Sequence, residues 1–132
     1  MIILNPQWQG IGRPNPVPQG AEILKTLLTD FQITKIPVNM DALITDKNVN
    51  GLKQIKARIK AVRSAIDEQK PQRIFTCGGD CSSDYAQISY LNHIYQGDFN
   101  IIWIDAHADL NTPESTPSQN FHGMTLRCLT GD

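Results

Sequence analysis

Short apolar runs alternate with helical patterns along this chain, and that alternation most restricts the fold open to it. Ile2–Leu4 reads as a short strand, and residues 5–20, with four prolines and three glycines, read as loop. Ile23, Leu24, Leu27, Leu28 and Phe31 follow with helical spacing, then Ile33–Val38 as a second strand. Leu52, Ile55, Ile59, Val62 and Ile66 step by three or four residues, an amphipathic helix whose Lys53, Lys56, Arg58, Lys60 and Arg63 form its expected solvated face. A strand at 73–77, a helix through Tyr85, Ile88, Leu91 and Tyr95, and a strand at 99–105 come next. A long loop, 106–121, then leads to a helix beginning near His122. The order βαβαβαβα predicts an α/β fold: a parallel sheet with helices on both faces.

Two of these strand ends carry ligand-type side chains. Ile101, Ile102, Trp103 and Ile104 run directly into Asp105, His107 and Asp109. Alternate residues of an extended chain share a face, so the spacing predicts two carboxylates and an imidazole converging on one point. Mixed oxygen and nitrogen donors of this kind suit manganese, cobalt, zinc or iron(II). After the strand at 73–77, Gly78-Gly79 permit a sharp turn into Asp80-Cys81-Ser82, where a helix starts. Open parallel sheets deliver such residues to their carboxyl edge, where sites of this fold class are built. Asp80 and Asp84 are read either as groups supporting the ligands or as helix caps.

Gly78-Gly79-Asp80-Cys81-Ser82 and Asp105-Ala106-His107-Ala108-Asp109 together resemble the two metal motifs of the arginase-type ureohydrolases: arginase, agmatinase and formiminoglutamase. The likeness continues through Asn111-Thr112-Pro113 and Asn120-Phe121-His122-Gly123, spaced as in the arginase branch. It covers residues 73–128 well, and the earlier part only in its strand–helix rhythm. The resemblance implies an arginase-like three-layer α/β/α architecture, incomplete here, with residues 1–132 as the N-terminal half of a single domain. It also implies a metal-dependent hydrolase of C–N bonds in linear amidines, guanidino or formimino compounds resembling arginine. Two divalent ions, manganese first, would activate the attacking water.

By the same resemblance Cys81, Asp105, His107 and Asp109 are the metal ligands, with Asp105 bridging both ions. His122 is a proton shuttle or general acid, and Asp109 is counted with it among the catalytic residues. Asn111, Thr116 and Ser118 match positions that hold the amino-acid end of the substrate.

Two departures shape the expectation. The family motif has histidine where this chain has Cys81, and the chain stops at Asp132 without the family's later Asp-x-Asp pair. A thiolate at position 81 would favour zinc, iron or cobalt over manganese. Alternatively the thiol stays unbound, packs as a small apolar residue, or acts as an activated nucleophile. The gene is expected to continue past Asp132, and the 132-residue chain alone is expected to be inactive. The alternative reading is a degenerate, non-catalytic family member that binds a ligand or partner; a third is a standalone domain with a structural metal.

Twelve basic against thirteen acidic residues offer no electrostatic case for nucleic acid or an anionic membrane. No apolar run reaches the length of a membrane span. Three cysteines do not suggest a disulfide framework and point to the cytoplasm. A small-molecule substrate is the expected partner, and a homo-oligomer is compatible with these features.

Overall fold

The computed structural model of the chain describes residues 1–131. Strand β1 (Ile2–Leu4) lies between β2 (Ile33–Lys35) and β5 (Phe75–Cys77), parallel to both. Ile2 stands opposite Ile33 and Phe75, and Leu4 opposite Lys35 and Cys77. The central strand is apolar throughout because both its faces are covered. Ile3 packs with Ile36, Val62, Ile66, Ala86 and Tyr90 on one side, and Leu4 packs with Ala21 and Cys77 on the other. Helices α2 (Leu52–Gln69) and α3 (Tyr85–Ile94) cover the first face, and α1 (Val17–Lys25) covers the second. The expected parallel sheet with helices on both faces is therefore present.

Three expectations need correction. Helix α1 starts at Val17, inside the stretch read as loop, because a proline in the first helical turn needs no N–H donor there. It ends at Lys25, so Leu27 and Phe31 lie beyond it and stand exposed. On α2, Arg58 is not part of the solvated face but buried, only 5% exposed.

The third correction concerns 99–105, which forms no strand. A strand needs neighbouring backbone groups to pair with, and no described strand lies alongside this segment. Strand β5 is the edge of the sheet, and a cavity of about 480 Å³ is lined by Thr76 and Gly78 and by Ile102, Trp103 and Ile104. Ile104 consequently remains 94% exposed.

One element had no counterpart in the sequence reading. Strands β3 (Thr45–Asp46) and β4 (Val49–Asn50) form an antiparallel hairpin turning at Lys47 and Asn48. Both turn residues have positive φ, 48° and 59°, the requirement of a tight two-residue hairpin turn, which asparagine tolerates. Helix α4 (Thr125–Leu129) follows a 3-10 turn at Phe121–Met124, close to the expected start.

Ile66 is fully buried between β1 and α3, so Ile66→Ala should cost about 2–5 kcal/mol of stability. Ile104→Ala should change it by less than about 0.5 kcal/mol. Urea unfolding of both variants tests this, and a large loss at Ile104 would show that 99–105 is packed in solution.

Candidate metal centre

The turn after β5 is shaped by contact with the chain that leaves β1. A Cβ on Gly79 would lie 2.5 Å from the Gln7 carbonyl oxygen, so only glycine fits there. Asp80 N donates to that same carbonyl at 2.9 Å. The Asp80 carboxylate, 6% exposed, accepts from Gly10 N at 2.8 Å, Ser82 N at 2.9 Å and the Ser82 hydroxyl. It caps the 3-10 turn Cys81–Asp84 that opens α3. Asp80 is thus a cap and a tie between two loops, and burial raises its pKa.

That tie presents Cys81 to the second motif. One ligand atom each from Cys81, Asp105 and Asp109 lie within 4.8 Å of one another. The Cys81 thiol donates to Asp105 Oδ2 at 3.4 Å. Asp105 Oδ1 accepts from His107 N at 2.9 Å, and these bonds hold its carboxyl below the ordinary range. Asp109 is 4% exposed, and burial pushes its pKa up. Its Oδ2 is buried with no hydrogen-bond partner, and its backbone is left-handed at φ 49°. Burial, then the charges of Asp109 and Asp105, raise the Cys81 pKa to about 12, so without a cation it is a thiol.

A divalent cation fits this group. It would satisfy the orphaned Asp109 oxygen, offset two carboxylates and reverse the bias against the thiolate. The donor set of one sulfur and two oxygens accommodates zinc or iron(II) more readily than manganese.

The other candidate residues are distributed around this trio. The His107 side chain is 82% exposed, with Nδ1 3.6 Å from Asp105 Oδ1, outside the cluster. Beside it lies a cleft of about 580 Å³ lined by His107, Asp109, Asn111, Ser118 and His122. Thr116 is not among its lining residues: 8% exposed, it contacts the Ser118 hydroxyl at 3.4 Å. His122 sits on the turn before α4, where Phe121 packs edge-on against Tyr85 with ring centroids 6.2 Å apart.

The long loop is fastened by residues that the sequence reading passed over. Asn50 Nδ2 donates to Ser118 O at 3.1 Å and to Asn120 Oδ1 at 2.9 Å. Asn48 donates to Pro113 O and accepts from Gln119. On the other side, Asn111 N donates to Gly123 O at 3.0 Å, and Arg127 N to Asp109 O at 3.1 Å. The two asparagines of the hairpin, Asn48 and Asn50, were the available signal.

Comparison with known proteins agrees with these motifs. The model of the arginase family matches residues 16–131. An arginase of Staphylococcus aureus (strain COL) is 38% identical over 94 residues, 71% of this chain and 28% of that protein. An arginase of Plasmodium falciparum is 36% identical over 86 residues, 64% of this chain and 21% of its own length. Among solved structures, the arginase of Bacillus caldovelox superposes with a TM-score of 0.79 at 26% identity, over 99% of this chain and 48% of that one. The arginase of Entamoeba histolytica, solved in complex with L-ornithine, gives 0.74 at 25% identity, over 98% and 48%. The chain thus spans about half the length of the solved structures it matches.

Because the folded-state pKa of Asp109 is raised, its cost to the metal-free protein is absent at acidic pH, below the ordinary carboxylate range. The cost appears as pH rises through the folded-state value. Asp109→Asn should therefore raise the melting temperature of chelator-treated protein at pH 7–8, with no gain near pH 3. A constant difference across pH would show that Asp109 ionisation is not the burden.

Proposed function

The chain belongs to the arginase family, and from that premise we propose that it carries part of the site of a metal-dependent hydrolase of guanidino or formimino C–N bonds. The observation that supports this most is the convergence of Cys81, Asp105 and Asp109 around an unpartnered buried carboxylate oxygen. In this reading those three residues hold divalent metal, and His107, exposed beside Asp105, supplies a fourth donor. The metal would lend Lewis acidity and lower the pKa of water at the site. Four donors are too few for two ions, so the reading assigns further carboxylates to polypeptide beyond these residues and little or no activity to the chain alone.

The remaining residues act on the substrate. His122 lines the cleft next to Asp109, where its imidazole, able to accept a proton on one nitrogen and donate from the other, is suited to move a proton toward the departing amine. Asn111 and Ser118 line the same cleft with short polar side chains, and Thr116 backs Ser118 from below. Together they suit an α-carboxylate, which favours an amino-acid substrate such as arginine over agmatine. That the Entamoeba histolytica relative was solved with L-ornithine, an amino acid, supports the same choice. The three free thiols, Cys77, Cys81 and Cys128, suit the reducing cytoplasm.

Metal choice tests the centre directly. Cys81→His should tighten manganese binding about tenfold, because imidazole is the better partner for that ion. Calorimetric titration of both forms reads the change. Equal manganese affinity in the two would remove Cys81 from the ligand set and favour the non-catalytic reading.

Substrate choice tests the cleft. In the active protein that contains these residues, Asn111→Ala should lower kcat/KM for arginine by about tenfold to a hundredfold. Turnover of agmatine should change little. If agmatine is preferred and the substitution alters nothing, the loop does not read a carboxylate.

A further inference from the structure

Helix α2 turns inward a side chain that its charge would ordinarily keep in water. Arg58 is 5% exposed, and its Nε and Nη2 are buried with no hydrogen-bond partner. Burial lowers its pKa to about 10 while the charge of Asp80 works the other way, so the guanidinium stays charged at neutral pH. No hydrogen bond joins it to Asp80, whose carboxylate accepts instead from Gly10 and Ser82. A buried cation without a hydrogen-bonded anion is strongly unfavourable and calls for a counter-charge.

The space beside it is built to take one. Arg58 lines a cavity of about 360 Å³ between α2 and the segment 37–44, with Gln9, Asn39, Asp41, Lys53 and Gln54. That volume lies within the range of small-molecule sites. Gln54, one helical turn before Arg58, brings a second orphan: its Oε1 is buried without a partner. Its Nε2 donates to Ala42 O at 3.0 Å, which fixes the amide so that an acceptor is the unpaired end. Asp41, the acidic group there, is engaged by Asn39 Nδ2 at 2.8 Å. Lys53, exposed, adds a second positive charge. None of these residues lines the cleft around Asp109 and His122.

We propose that this cavity binds a small oxyanion that also carries a hydrogen-bond donor, the chemistry shared by hydrogen phosphate and 2-hydroxycarboxylates. Arg58 and Lys53 hold the anionic oxygens, and Gln54 Oε1 accepts from the ligand's hydroxyl. The pairing explains both orphans at once, because a bare anion would satisfy Arg58 and leave Gln54 unpaired.

Isothermal titration of the 132-residue chain at constant ionic strength tests this with two matched pairs. Inorganic phosphate is set against sulfate, which has no donor at neutral pH, and lactate against propionate. In at least one pair the donor-bearing member should bind at least about tenfold tighter, and which pair does so identifies the source. Arg58→Met should weaken that binding by at least about tenfold, and Lys53→Gln, at an exposed position that folding tolerates, by about threefold or more. Equal affinities within both pairs, or unchanged affinity in both variants, would overturn the proposal.

Discussion

The buried carboxylate of Asp80 joins two loops that the sheet alone would leave independent. It accepts from Gly10 on the chain leaving β1 and from Ser82 on the turn leaving β5. The two strands are already neighbours, paired from Ile2–Phe75 to Leu4–Cys77, and Asn5 N extends the pairing to Cys77 O at 2.9 Å. Their carboxyl ends are then locked by backbone contact at Gly79 and by the Asp80 cap. A Cβ at Gly10 would meet the Asp80 carboxylate at 2.7 Å, so the approach from this side also requires glycine. Cys81 follows this knot directly. Its position is therefore set by backbone geometry and not by the second motif it faces.

Asp105 and Asp109 reach the same place by a weaker route. Lacking a strand partner, 99–105 cannot fix them through a sheet, and the fixing comes from behind. Asp109 is held by the α4 backbone through Arg127 N, and the rest of the loop by the hairpin asparagines. This division explains the burial at the site: Asp109, stitched to α4, is 4% exposed, whereas the Asp105 side chain is 24% exposed and the His107 side chain 82%.

Much of this was legible from residue pattern, and the failures share a cause. The α2 periodicity, the glycine pair after β5 and the trio of Cys81, Asp105 and Asp109 depend on local chemistry that a sequence displays. Alternation along an extended strand, which put His107 with both aspartates, assumed that 99–105 is paired and pleated. Without a neighbouring strand the chain bends after Asp105, Asp109 takes a left-handed conformation, and His107 points elsewhere. The hairpin was missed because its strands are two residues each, too short for any periodic signal. Arg58 was missed because helical periodicity assigns a charged residue to water by its type. What it meets depends on a segment, 37–44, that no pattern places.

Asp80 stands between two regions whose polar groups are unsatisfied in opposite senses. On one side Asp109 Oδ2 is buried without a donor, next to an ionised Asp105 and a thiol that burial and the two carboxylates keep protonated. On the other, the Arg58 guanidinium is buried without an acceptor. Charges of opposite sign would offset each other if they met, but the Asp80 carboxylate accepts from Gly10 and Ser82 and makes no hydrogen bond with Arg58. In the proposed reading each side takes its own counter-ion, a cation at the cysteine and aspartates and an anion at the arginine. Folding this turn tightly enough to place Cys81 commits the Asp80 carboxylate to backbone and hydroxyl donors, and leaves Arg58 the charge of Asp80 without a hydrogen bond to it.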